Sequence, residues 1–193
     1  MKRICVFCGS SSGLNPVYLE TARAMGRALV RRGIGLVYGG GRVGLMGAIA
    51  DTVLAGGGEV IGCIPQPMVA REVAHHGITE LRIVHSMHER KATMAELSDA
   101  FIALPGGFGT FEEFCEIITW AQLGLHRKPC GVLNVESYYD PLLALFDRGV
   151  AEGFIYSVNR RLVLEETEPE RLLDLLAGYI PSQVEKWIVR DES

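Results

Sequence analysis

The chain has 193 residues, 48% hydrophobic and 22% charged, with a formal net charge of −4. That suits a single α/β domain over residues 1–193 with a substantial core. The acidic balance argues against a general nucleic-acid binder, and no apolar run approaches the roughly 20 residues needed to cross a bilayer.

Strand and helix alternate along the chain. Residues 4–7 read as a strand ending in Gly9-Ser10-Ser11-Ser12-Gly13. Asn15 and Pro16 are an N-cap and first-turn proline for a helix with an i, i+3, i+4 apolar stripe, ending at Gly33. Residues 34–38 form a second strand. It runs into Gly39-Gly40-Gly41-Arg42-Val43-Gly44-Leu45-Met46-Gly47 and a helix to Ala55. Strands follow at 60–64 and 81–84, separated by a loop over 66–77 with room for one helical turn. A helix over 87–97, a strand over 100–104 and a helical pattern over 111–125 come next. Then come a strand at 131–135, a helix at 141–150, a strand at 162–164 and a helix at 169–176. Apolar strands separated by helices imply a doubly wound, mostly parallel Rossmann-like sheet covered on both faces. Its ligand should lie beyond the carboxyl ends of the strands, where the glycine-rich turns fall.

The first residues, Met1-Lys2-Arg3, are basic, but the apolar run after them is too short for a signal peptide. A cytoplasmic protein is expected, with its five cysteines as free thiols. Cys5-x-x-Cys8 lies on a strand, so the two thiols point to opposite faces and no second pair completes a zinc site. His75-His76 reads as loop surface.

The central stretch is Leu104-Pro105-Gly106-Gly107-Phe108-Gly109-Thr110-Phe111-Glu112-Glu113. Thr110 and Glu113 fit a capping box. The glycines before them also fit an anion cradle, a turn whose amides and helix dipole face a phosphate. The earlier turn, Gly39 to Gly44, satisfies G-x-G-x-x-G, but the next strand ends without the acidic residue that a dinucleotide ribose requires. Its glycines serve either close packing or a ligand. In the helix over 87–97, Arg90 falls on the apolar stripe of Met87, Met94 and Leu97. A buried arginine needs an anionic partner, either a structural carboxylate or a ligand. Arg90 and Glu113 both start helices flanking the fifth strand, at one edge of the sheet.

Three motifs here resemble the LOG ("Lonely Guy") family of cytokinin riboside 5′-monophosphate phosphoribohydrolases, often labelled lysine decarboxylases. Residues Pro105 to Glu113 match PGGxGTxxE, Gly39 to Gly47 match GGGxxGLMG, and Met87-His88-Glu89-Arg90-Lys91 matches MHxRK. The resemblance implies hydrolysis of the N-glycosidic bond of a purine nucleoside 5′-monophosphate to free base and ribose 5-phosphate, without metal or cofactor. It implies Arg90 and Glu113 as the catalytic pair. It implies substrate contacts from Glu72, Arg90, Lys91, Gly106, Gly107, Phe108, Gly109, Thr110, Phe111, Glu112, Glu113 and Thr119. It also implies a homodimer with the site near the interface. The helix over 111–125 is consistent with that, with Phe111, Phe114, Ile118 and Leu125 expected on one side and Ile117 and Trp120 on another. Nucleic acid and membrane are not expected partners.

The residues suit the chemistry. A carboxylate near C1′ stabilises positive charge on the ribose as the base leaves, and can activate water. A carrier or sensor of the same fold would bind the nucleotide without turning it over. A decarboxylase would need a lysine forming a Schiff base with pyridoxal phosphate, and Lys91 is the lysine near the site.

Overall fold

Asn15 shows how locally the elements are set: its Oδ1 accepts from the Val17 amide at 3.1 Å, and Pro16 takes the first helical position. The computed structural model describes residues 1–69 and 74–181. In chain order the elements are β1 (Arg3–Phe7), α1 (Pro16–Arg31), β2 (Gly35–Tyr38), α2 (Gly44–Ala55), β3 (Val60–Pro65), β4 (Glu80–Val84) and α3 (Met87–Leu97). Then come β5 (Ala100–Ala103), α4 (Phe108–Gln122), β6 (Cys130–Leu133), α5 (Asp140–Ala151), α6 (Ser157–Arg160), β7 (Val163–Glu166) and α7 (Pro169–Ala177).

The strands form one seven-stranded sheet in the order β4-β3-β2-β1-β5-β6-β7, every pair parallel. Alternate residues of β1 feed two cores. Ile4 and Val6 join Leu36 and Tyr38 beneath α1, α2 and α7, with Met25, Leu29, Ile49 and Leu172. Cys5 and Phe7 join Val37 and Phe101 beneath α3, α4 and α5, with Met94, Phe114, Ile117 and Leu143. Each such aliphatic or aromatic side chain contributes about 1.5–3 kcal/mol relative to exposure. The cysteines are free, and Cys5 and Cys8 fall in opposite cores as their spacing requires.

The last two strands depart from the expected pattern. β7 runs on through Glu165 and Glu166, because an edge faces solvent on one side and tolerates charge. β6 stops at Leu133, where Asn134 leaves extended geometry while its amide still reaches Glu166 O at 2.7 Å. In the loop over 66–77 the helical turn is a 3-10 turn at Gln66–Met68. The short α6 has no counterpart in the periodicity.

Four expectations about the helices need correction. The fourth begins at Phe108, with Gly107 as N-cap and no side-chain cap. Thr110 therefore lies inside the first turn and Glu113 in the second, and they form no capping box. Gly124, at φ +74°, ends this helix before Leu125. Phe114 and Ile117 also share its buried face rather than dividing between two. In α3, Arg90 and Met94 are buried, but Met87 is 39% exposed, its sulfur 3.8 Å from Arg90 Nη1. Among the described residues no helix is long and apolar enough to cross a membrane.

Successive strands β1 to β4 step one way across the sheet, and β5 returns to the far side of β1. Loops leaving β1 and β5 therefore diverge, opening a crevice at the switch point. The glycine turn after β2 packs beside it. Gly44 has φ +61°, and a Cβ there would lie 2.3 Å from the Ser10 carbonyl carbon. The Leu45 amide donates to Gly9 O at 3.0 Å, so an amide in the first turn of α2 is engaged within the protein. Gly44→Ala is expected to cost about 2 kcal/mol or more, from a strained φ and a backbone collision. Urea unfolding checks this; an unchanged midpoint would mean the turn moves freely.

Candidate active site

The loop from β5 into α4 forms one wall of the crevice. The first intrahelical bond of α4 runs from the Phe111 amide to Gly107 O at 3.1 Å. The amides of Phe108, Gly109 and Thr110 thus precede the helical ladder, at the positive end of the helix dipole. Thr110 is buried beneath Gly106, where a Cβ would meet its Oγ1 at 2.1 Å. That position takes glycine because the loop and the threonine occupy the same space.

The loop after β1 forms the other wall. Gly9 to Gly13, with Tyr18, Leu45, Gly106, Gly107 and Tyr138, line a cleft of about 310 Å³. The three serines of this loop are not among the residues expected from the sequence. Their signal was available, since they follow the first strand at its carboxyl end, beside the switch point.

Arg90 and Glu113 meet next to this cleft without lining it. Arg90 Nε donates to Cys63 O at 3.0 Å and Nη2 to Gly39 O at 3.2 Å. Nη1 lies 3.6 Å from Glu113 Oε1, and the two side chains are 7% and 11% exposed. Gly39 carries no side chain because a Cβ there would stand 2.2 Å from Arg90 Nη2. The guanidinium is thus fixed to the ends of β2 and β3, and the carboxylate stands against it. Burial pushes the Cys5 and Cys8 thiols well up, and the nearby negative charge of Glu113 adds to this. Glu113 therefore sits close to the end of β1. It is six residues from Gly107, about 9 Å along the helix.

The other expected site residues separate into groups. Lys91 Nζ is bound to Glu112 Oε1 at 2.6 Å and Glu116 Oε1 at 2.9 Å, a bridge from α3 to α4. Burial pushes Lys91 down, but hydrogen bonds and charge from the two glutamates outweigh it and hold Lys91 above its ordinary value. Phe111 turns to Tyr138 and Tyr139, with ring centroids 6.4 and 6.3 Å apart. Phe108 is 92% exposed at the tip of α4. Thr119 lies six residues beyond Glu113, about another 9 Å along the helix. Its hydroxyl donates to Cys115 O at 2.8 Å. Within one chain it does not join Arg90 and Glu113. Glu72 lies outside the described residues. His75, expected on the surface, is buried, with Nε2 2.9 Å from Asp51 Oδ1.

A family model described as "possible lysine decarboxylase" matches residues 46–176. A probable cytokinin riboside 5′-monophosphate phosphoribohydrolase of Oryza sativa subsp. japonica is 55% identical over 183 residues, 95% of this chain and 82% of that protein. A cytokinin riboside 5′-monophosphate phosphoribohydrolase of Arabidopsis thaliana is 51% identical over 193 residues, 99% of this chain and 89% of that protein. Among solved structures, the molybdenum cofactor binding protein of Rippkaea orientalis superposes with TM-score 0.68 at 21% identity, covering 92% of this chain and 97% of that one. At that identity the likeness concerns the fold alone.

Proposed function

Because the chain belongs to the LOG family of cytokinin riboside 5′-monophosphate phosphoribohydrolases, we infer that it hydrolyses purine nucleoside 5′-monophosphates, of adenosine or cytokinin type, to free base and ribose 5-phosphate. Water adds to C1′ as the bond to the base nitrogen breaks, and the base leaves with a proton. The observation that carries the reading is the Glu113 carboxylate, held by Arg90 beside an amide-rich helix start.

On this reading the 5′-phosphate rests on the amides of Phe108, Gly109 and Thr110, and the serines after β1 face it across the cleft. The ribose then extends along α4 towards Glu113, which stabilises the developing cation and orients the water. Arg90 spends its hydrogen bonds on Cys63 O and Gly39 O, which favours a role in fixing Glu113. Lys91 braces Glu112 and Glu116 on the same helix. This commitment to two carboxylates also argues against a pyridoxal-type decarboxylase, whose lysine must be available as a neutral amine. Glu72 is assigned to the substrate from its motif position.

The chain works as one domain and assembles as a homodimer in the cytoplasm, where its free cysteines persist. Support for the dimer comes from Phe108, Leu125 and Phe154, each exposed by two-thirds or more, and from a groove of about 230 Å³ lined by Ile118, Thr119, Phe146 and Ile155. In a dimer Thr119 can approach a substrate that it does not reach within its own chain. Light scattering at micromolar concentration should give twice the chain mass; a monomer would contradict this assembly.

The activity is tested by incubating the protein with AMP and with isopentenyladenosine 5′-monophosphate, without added metal or cofactor. Liquid chromatography should show base and ribose 5-phosphate in equal amounts. Tight binding with no release of base from either would make the chain a carrier.

A further inference from the structure

Three consecutive carbonyls in the turn between β5 and α4 are each held by a donor from elsewhere in the chain. Leu104 O accepts from Tyr139 Oη at 2.6 Å, Pro105 O from the Gly9 amide at 3.0 Å, and Gly106 O from Tyr138 Oη. A trans peptide is planar, with its N–H opposed to its C=O. Holding Gly106 O therefore also sets the direction of the Gly107 amide. It fixes the peptide plane from which the first amides of α4 follow. A carbonyl free to rotate into that position would instead meet an anion with its negative end.

The two tyrosines come from a single built turn. Asn134 Oδ1 accepts from the Tyr139 amide at 2.8 Å, and its Nδ2 donates to Asp140 Oδ1 at 2.7 Å. Between them Glu136 and Ser137 have φ of 50° and 57°, a region that costs energy for residues other than glycine. Such geometry persists where surrounding contacts over-determine it. Here it directs successive hydroxyls at carbonyls of the same loop. The Tyr138 ring is gripped by Tyr18, edge-on at 5.8 Å, and by Phe111, stacked at 6.4 Å.

We propose that Tyr138 is a positioning residue for the 5′-phosphate. Its hydroxyl aims the amides at the start of α4 and so sets affinity for the phosphate, without touching the reacting carbon. This rests on the assignment of the phosphate to α4. A merely structural tyrosine would affect melting temperature and every ligand alike. One acting through the phosphate loop affects phosphate-bearing ligands selectively.

The experiment compares the whole protein with Tyr138→Phe. It measures KM and kcat for AMP and inhibition by ribose 5-phosphate and by adenine, with melting temperature as a check on folding. The KM for AMP and the inhibition constant of ribose 5-phosphate should both rise about tenfold, the loss of one modest hydrogen-bond contribution. The kcat and the adenine constant should stay within about twofold. Tyr139→Phe, which frees the neighbouring carbonyl, should shift the same two constants in the same direction. Unchanged ribose 5-phosphate inhibition in Tyr138→Phe, or parallel losses for adenine and ribose 5-phosphate, would overturn the proposal. The wild-type preference for AMP over adenosine reports separately on the phosphate site. If the wild type shows none, the α4 assignment itself fails; if it shows one that Tyr138→Phe keeps in full, only the role of Tyr138 does.

Discussion

Glu113→Gln is expected to lower kcat for nucleoside 5′-monophosphate hydrolysis about a hundredfold or more, with nucleotide binding retained. The change keeps the shape of the side chain and removes its charge. A carboxylamide neither stabilises a ribosyl cation nor accepts a proton from water. Two structural roles compete with this one. Capping no longer does, because α4 starts at Phe108 and Glu113 sits a full turn too late. The ion pair with Arg90 remains. At 3.6 Å it is longer than a tight hydrogen-bonded pair, and Arg90 keeps its bonds to Cys63 O and Gly39 O whatever stands at residue 113. Loss of the pair should therefore cost about 1–2 kcal/mol of stability and leave the protein folded. Measuring kcat, AMP affinity and melting temperature on the one variant separates the outcomes. Near-normal kcat with a lowered melting temperature would reduce Glu113 to a structural partner of Arg90, and the carrier reading would gain.

The fold alone cannot decide between those readings, since this architecture also serves a protein that binds a molybdenum cofactor. The decision lies in side chains, and these were unevenly legible in the sequence. The interior strands could be read because β1, β2, β3 and β5 are covered on both faces and so are apolar apart from Arg3 at the start of β1. The proximity of Arg90 and Glu113 followed from topology, since their helices flank β5 at one edge. The start of α4 departs from its local signature for a physical reason. Thr110-x-x-Glu113 carries the local signature of a cap, and glycine at residue 109 is a poor helix former. Contacts from outside the segment decide the matter. Gly9 and Tyr138 fix the loop before the helix, and neither is near it in sequence. His75 is buried for the same kind of reason, because its partner Asp51 lies on α2. Local pattern gives the elements; the polar contacts that aim them come from residues tens of positions away.

AMP should exceed adenosine in kcat/KM by about a hundredfold or more, at least about 3 kcal/mol. The size of that preference depends on how the phosphate is held. Among the described residues, none that line the cleft carries a cation. Lys91 is bound to two glutamates, and Arg90 to two carbonyls and Glu113. On this lining the phosphate is met by neutral donors, the first amides of α4 and the hydroxyls after β1. A hydrogen bond from such a donor to a charged acceptor is worth about 1.5–3 kcal/mol, so two suffice for the expected preference. The helix dipole adds to them within the first turn. The rival cradle at α2 is already engaged, because its Leu45 amide is bound to Gly9 O at 3.0 Å. Equal kcat/KM for AMP and adenosine would remove the phosphate from α4. Gly106 would then be explained by its packing on Thr110, as Gly39 and Gly44 are by Arg90 and Ser10, but Gly107 and Gly109, where a Cβ would meet nothing within 4 Å, would be left without a role.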